Sequence, residues 1–217
     1  MDYKHLIGET ITLELSGNLE ITGVLVDISN DLMVVFDSKD YLYIPRIHIH
    51  HFKREDDSDK QIFPADIEYK QDEGISLRKT LVNANGLFSE ILLMKHNPIY
   101  GYVVSVMNDY LLFYSPVYKH IYISLNHIKW LIPLPFNQIP YGIDIEKVPF
   151  NPSNIPLSRT FEEQIEKFVG KIAVFDLGNK PHKTGLIKKI SDHTIELITA
   201  RSEMYYLNLR HINSFHS

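Results

Sequence analysis

The chain contains no cysteine, which excludes a disulfide framework, thiolate chemistry and thiolate metal sites. It has no run approaching 18 apolar residues, so no transmembrane helix is expected. Its opening, "MDYKHLIGET", lacks the basic-then-apolar segment of a signal peptide. There is no Gly-x-Ser-x-Gly elbow, no P-loop and no Gly-x-Gly-x-x-Gly fingerprint, so the familiar nucleophile and phosphate-binding signatures are missing. Excess charge is scarce as well. The formal net charge is −5, and residues 53–73 hold four Lys or Arg against eight Asp or Glu, so that stretch accounts for −4. The nearly neutral remainder is a poor electrostatic start for a nucleic-acid binder. What is left is an ordinary globular composition, 44% hydrophobic and 23% charged. At 217 residues it is long enough for two or three small domains.

What the chain does have is repetition. "YIPRIHIHHF" (43–52) aligns with "YISLNHIKWL" (122–131) and "YLNLRHINSF" (206–215). Each begins with a tyrosine, Tyr43, Tyr122 or Tyr206, and places His-Ile five residues later, at His48, His127 and His211. Upstream, Gly23, Gly101 and Gly185 each lie in a Val/Leu/Ile-rich context, 25, 26 and 26 residues before the histidine. A further glycine precedes each by 15 residues: Gly8, Gly86 and Gly170. Offsets that agree this closely define a triplicated unit.

Each unit reads as a short helix followed by about five short strands. In "RTFEEQIEKFVG", Thr160 and Glu163 form a capping box, Phe161, Ile165 and Phe168 share one helical face, and Gly170 ends the helix. "SLRKTLVNANG" reads likewise, with Leu77, Leu81 and Ala84 on one face, and "MDYKHLIG" is a shorter version. Alternating patterns such as Ile11, Leu13 and Leu15 mark strands. "SND" (29–31), "MND" (107–109) and "SDH" (191–193) are tight-turn candidates between apolar runs. The central glycines permit a strongly bent strand. The expected organisation is repeat 1 over 1–53, a charged connector over 54–75, repeat 2 over 76–132, a connector over 133–157 and repeat 3 over 158–217. Six of the eleven prolines fall between Pro133 and Pro156, so the second connector is expected to be extended.

This order, with a bent strand after each central glycine and a closing Tyr-aliphatic…Ile strand, resembles the Sm-like fold. Three such units in succession look like the N-terminal part of CotB-type outer spore-coat proteins of endospore-forming Bacilli. The resemblance implies a mainly β protein of three tandem Sm-like small bent-sheet barrels, each preceded by a short helix and joined by charged and Pro-rich straps. It implies a structural, non-enzymatic role in coat assembly, with other coat proteins or further copies of the chain as partners. Such a protein would be made in the mother-cell cytoplasm and laid down on the forming spore. The chain departs from the longer coat proteins in lacking their Ser/Lys-rich tail, so no phosphate-accepting role is carried over. "LSGNLEITG", "KHNPIYG" and "LGNKPHKTG" stand where that group commonly has Gly-Gly-Pro hairpin loops. The alternative is a cytoplasmic Sm-like nucleic-acid-binding or regulatory protein.

Nucleotide-binding Sm-like proteins carry an Asp six residues after the central glycine and an Asn ten after it. Here those positions are Ser29 and Met33, Met107 and Leu111, and Ser191 and Ile195. No copy keeps the pair, which argues against nucleic acid. Tyrosines and Trp130 are able to stack on bases, yet they fall where aromatics fill a core. Lys180, Lys183, Lys188 and Lys189 make a modest basic patch of the kind a solvated rim carries.

His48, His50 and His51 invite a metal reading. On one continuous strand His48 and His50 share a face and His51 opposes them. Two imidazoles fall short of the usual three or four zinc ligands, so they are weak candidates. Asp56, Asp57 and Asp59 could add ligands, but a charged solvated strap accounts for them. Ser191, Asp192 and His193 are adjacent, and a turn suffices to explain them. No cofactor is expected. The repeat signature itself, Gly23, Tyr43, His48, Gly101, Tyr122, His127, Gly185, Tyr206 and His211, is read as structural. Thirteen tyrosines favour interfaces that stack and hydrogen-bond.

Overall fold

The computed structural model describes residues 3–55, 74–94, 97–135, 140–142 and 155–217. Most of both connectors, with Asp56, Asp57 and Asp59, lies outside the described residues. The protein is mainly β, and every strand pairing described is antiparallel. Repeat 1 holds β1 (Thr10–Leu15), β2 (Leu19–Ile28), β3 (Leu32–Phe36), β4 (Tyr41–Pro45) and β5 (Ile49–Arg54). Repeat 2 holds α1 (Leu77–Asn83), β6 (Phe88–Leu92), β7 (Pro98–Val106), β8 (Tyr110–Ser115), β9 (Lys119–Ser124) and β10 (Trp130–Pro133). Repeat 3 holds α2 (Phe161–Glu166), β11 (Ile172–Phe175), β12 (Thr184–Ser191), β13 (Thr194–Ile198), β14 (Met204–Asn208) and β15 (Ser214–His216).

The chain divides into two compact units, Met1–Tyr100 with Ile128–Pro140, and Gly101–His127 with Tyr141–Ser217. The first has strand order β6-β10-β4-β3-β2-β1-β5, and the second β14-β13-β12-β11-β15-β9-β8-β7. The middle repeat therefore contributes to both. In repeats 1 and 3 the fifth strand lies beside the first, giving the order fifth, first, second, third, fourth.

The capping box of α2 is present: the Thr160 hydroxyl accepts the Glu163 N–H (3.3 Å) and Glu163 accepts the Thr160 N–H (3.2 Å). Gly170 follows that helix at φ +81°, a left-handed conformation that glycine adopts without penalty. Phe161 and Ile165 are buried against Phe175, Leu197 and Phe215, with Phe168 packed alongside. The first unit is centred on Ile11, Leu13, Leu15, Leu25, Val35 and Ile44.

The tight turns fall where the sequence places them, between β2 and β3, β7 and β8, and β12 and β13. The bent second strand has a cause beyond glycine. Val26, Val104 and Lys188, each three residues after the central glycine, are skipped in the pairing register. A bulge at the same place in all three repeats bends the strand and increases its twist. The glycine serves a different need. A Cβ on Gly23, Gly101 or Gly185 would sit 2.4, 2.0 or 2.3 Å from the carbonyl oxygen of Phe36, Tyr114 or Ile198. These are backbone atoms of the neighbouring strand and cannot swing aside. Substituting alanine at Gly23 or Gly185 is expected to cost about 1–3 kcal/mol, as overpacking does. Urea unfolding of each variant measures this, and an unchanged midpoint would show that the strands can separate without loss.

Candidate interaction surface

The stretch 43–55 is not one strand. β4 ends at Pro45, residues Arg46–His48 form a 3-10 turn, and β5 starts at Ile49. The same turn recurs at Leu125–His127 and Leu209–His211. In repeats 1 and 3 the topology requires it, because the fourth and fifth strands occupy opposite ends of the strand order and the chain must cross between them. Each turn is anchored alike: the carbonyls of Asp31, Asp109 and His193 accept the N–H groups of Arg46, Leu125 and Leu209 at 2.9, 2.9 and 2.8 Å.

This break separates the histidines. His48 is buried, with Nδ1 3.0 Å from the Ser16 hydroxyl and 3.0 Å from Lys129 Nζ; Lys129 also donates to Ser16. His50 and His51 instead flank the half-buried Glu14 at 3.7 and 3.6 Å. Among the described residues no three His, Cys, Asp or Glu side chains are grouped to hold a metal ion. Lys129 is half-buried, and that desolvation lowers its pKa.

The recurring tyrosine and histidine mark where one repeat meets the next. In the first unit β10, the last strand of repeat 2, pairs with β4 of repeat 1, Leu131 opposite Tyr43. In the second unit β15, the last strand of repeat 3, pairs with β9 of repeat 2, Phe215 opposite Tyr122. Leu131 and Phe215 are equivalent positions, so the two junctions share one register. At the second junction the rings of Tyr122 and Phe215 stack at 4.6 Å and 13°, with Phe168 edge-on to Phe215 at 5.2 Å. The Ser124 N–H donates to the Asn213 carbonyl (2.9 Å), and His127 Nε2 lies 3.0 Å from the Arg210 carbonyl.

A second contact ties each repeat to its successor. Asp31 Oδ2 accepts the Leu77 N–H that opens α1 (3.2 Å), and Asp109 Oδ1 accepts the Phe161 N–H that opens α2 (2.8 Å). A carboxylate there satisfies a donor left over at the helix start and suits its positive end. The "SND" and "MND" stretches thus do more than turn the chain, a role visible only once the following helix is in place. In repeat 3 the equivalent residue is His193, which bonds Glu162 at 2.9 Å within its own repeat.

The other candidates scatter. Met33, Leu111 and Ile195 are fully buried and Met107 packs against the core of the second unit, so none of them faces a loop ligand. Asp192 and His193 both have positive φ, 50° and 56°, the geometry of a two-residue hairpin turn. Lys180, Lys188 and Lys189 are exposed. Lys183 is not part of such a rim: it lies 2.7 Å from the buried Asp176, whose carboxylate also accepts the Asn213 N–H at 2.7 Å. No helix among the described residues is long and apolar enough to cross a membrane.

A family profile described as "YwrJ third domain" matches residues 160–215, the span from the cap of α2 to the stacked Phe215. The chain is also 38% identical over 219 residues to the "Uncharacterized protein YwrJ" of Bacillus subtilis (strain 168), covering 98% of this chain and 97% of that protein. The chain belongs to the YwrJ family.

Two consequences can be measured. Replacing Asp109 by Ala removes the acceptor of the first N–H of α2 while leaving the Thr160 capping box in place, and should cost about 1 kcal/mol, the usual worth of a helix-start contact, read from the urea midpoint. The pH profile should be bounded on both sides. Burial raises the pKa of Tyr110, with the Tyr122 and Asp109 charges adding to it; burial also raises Tyr122 and Tyr102. Their contribution is complete below the ordinary tyrosine value of about 10 and is lost above it, because the unfolded chain gives up those protons first. Burial lowers His120 and His216. Their contribution is complete above about 6.5 and falls as pH drops, because the unfolded chain takes up protons first. Thermal melts across pH should show this plateau, and replacing His120 and His216 by Gln should flatten its acid side.

Proposed function

We propose that this protein is a structural, non-enzymatic component of an assembled protein layer, a spore-coat constituent or coat-assembly partner, built from three Sm-like repeats. One observation carries the reading: the same edge-to-edge strand pairing, in the same register, occurs at both junctions between repeats. A unit that twice satisfies a strand edge with another unit is suited to building by addition. The strand order of repeats 1 and 3, fifth beside first, and the bulged second strand support the Sm-like assignment. The resemblance to CotB-type proteins supports the coat setting. Loop positions filled by buried Met33, Leu111 and Ile195 disfavour base recognition, and nothing described gathers nucleophile, base and oxyanion donors at one point. The protein is made in the mother-cell cytoplasm and deposited on the spore with other coat proteins.

A fluorescent fusion followed through sporulation tests this. Signal should gather as a shell around the forespore and persist in coat extracts of the released spore. Diffuse signal in growing cells, with protein that purifies with nucleic acid and loses it steeply as salt is raised, would replace the reading with an Sm-like nucleic-acid-binding role.

A further inference from the structure

Each internal junction has two halves, and among the described residues one half is left unmatched at each end of the strand order. We propose that copies of this protein associate head to tail, β14 of one copy pairing antiparallel with β5 of the next, with Tyr206 opposite Phe52. This rests on the assembly reading above and specifies its partner and register.

The three equivalent tyrosines show the first spare half. Tyr122 is 4% exposed beneath Phe215, and Tyr43 is half-buried, packing with Ile75 and with Leu77 of the following repeat against the cluster of Val26, Leu32, Val34 and Phe36. Tyr206 is 68% exposed, because among the described residues β14 pairs with β13 alone. The histidines follow the same course: His48 is buried, His127 is half-buried and His211 is exposed.

The strands opposite show the second. Leu131 and Phe215 are fully buried because each is paired on both sides, with Ile91 and Tyr43 or with Phe175 and Tyr122. Among the described residues Phe52 is paired on one side only, with Leu13, and it is half-buried. Its ring is already held as Phe215 is held. Tyr3 sits edge-on to Phe52 at 5.2 Å and 81°, as Phe168 sits edge-on to Phe215 at 5.2 Å and 77°. At Phe215 the stacking face is taken by Tyr122; at Phe52 no described ring fills that place. Ile47, equivalent to the Arg210 whose carbonyl lies beside His127, is 71% exposed. Superposing the internal junction on these two ends sets Tyr206 on Phe52, the Asn208 N–H on the His50 carbonyl and His211 on the Ile47 carbonyl. A second copy fits because it alone is guaranteed to present the matching half in the matching register. The contact is heterologous, so it generates rings if it closes and filaments if it does not.

The helix-capping carboxylate is missing from this junction. His193 replaces it, and the first repeat has only the 3-10 turn Lys4–Leu6 where the others have a helix. The contact between copies therefore rests on the strand edge and the stacked rings, and it should be weaker than the internal ones and dependent on concentration.

The absence of cysteine makes the register directly testable in the full chain. Residues facing each other across antiparallel strands have Cα atoms about 4.5–5.5 Å apart, inside the range of about 4.4–6.8 Å that a disulfide spans. Tyr206→Cys protein mixed with Phe52→Cys protein should form a mixed disulfide dimer under mild oxidation. Yield should be about tenfold above that of Tyr206→Cys with His51→Cys, whose side chain projects from the opposite face. Light scattering should show the wild-type mass rising with concentration. Tyr206→Asp, a change at an exposed site, should weaken that association by about tenfold or more while leaving the urea midpoint unchanged. Equal cross-linking with His51→Cys, a Phe52→Cys protein that dimerises with itself in preference, or a wild-type mass of one chain at every concentration would each overturn the proposal. A monomer that still gathers around the forespore would leave the coat reading standing with another protein on these edges. A cross-linked pair in a protein that never reaches the spore would do the reverse.

Discussion

The last strands of repeats 2 and 3, β10 and β15, are each held between two others, and the rest of the structure depends on that sharing. A unit of some 55 residues buries too little surface to be comfortable alone. In the first unit β10 brings Ile132 into the core built by repeat 1, with Trp130 and Leu134 packed against it. In the second, repeat 2 adds Tyr110, Leu112 and Tyr122 to a core otherwise made by α2 and the strands of repeat 3. The compact units consequently do not coincide with the repeats, although repeat 2 also buries Leu81, Ile91, Phe113 and Ile121 completely.

Sharing explains where polar groups are tolerated. The Tyr110 hydroxyl is buried because it donates to the Ser158 carbonyl at 2.8 Å, beside Gln164, whose side-chain oxygen accepts the Ser158 N–H at 2.7 Å. Ser158 precedes α2, so this hydroxyl fastens the incoming chain to the preceding repeat. Within repeat 2, Trp130 donates its indole N–H to Glu90 at 3.0 Å across the β10–β6 pair. Lys129 of repeat 2 reaches Ser16 and His48 of repeat 1 in the same way, and directional bonds of this kind fix a docking angle more sharply than apolar contact alone.

Much of this was legible in the sequence because period and spacing are local properties. The triplication, the capping box at Thr160, the glycine after α2 and the three turns follow from offsets and residue types. The bulge at Val26, Val104 and Lys188 was not, since one skipped residue in a run of valines or lysines leaves no compositional mark. Residues 43–52 read as one strand because alternation survives on both sides of the 3-10 turn, and only the position of β1 reveals that the chain must cross there. The histidines looked like a cluster for the same reason. As for the interaction surface, the sequence marks Tyr43, Tyr122 and Tyr206 as equivalent, but burial that differs from copy to copy is a property of neighbours.

The turn residue ahead of each third strand gives the series an orientation. Asp31 and Asp109 reach forward to the helix of the following repeat, whereas His193 turns back to Glu162 in its own. The three segments are alike enough for unequal recombination to exchange them, yet they are not interchangeable parts. A gene that lost its last copy would encode an Asp with no helix to cap, and one that duplicated it would encode an internal helix facing a histidine. Such a chain folds less well than the original, and that penalty works against drift in copy number.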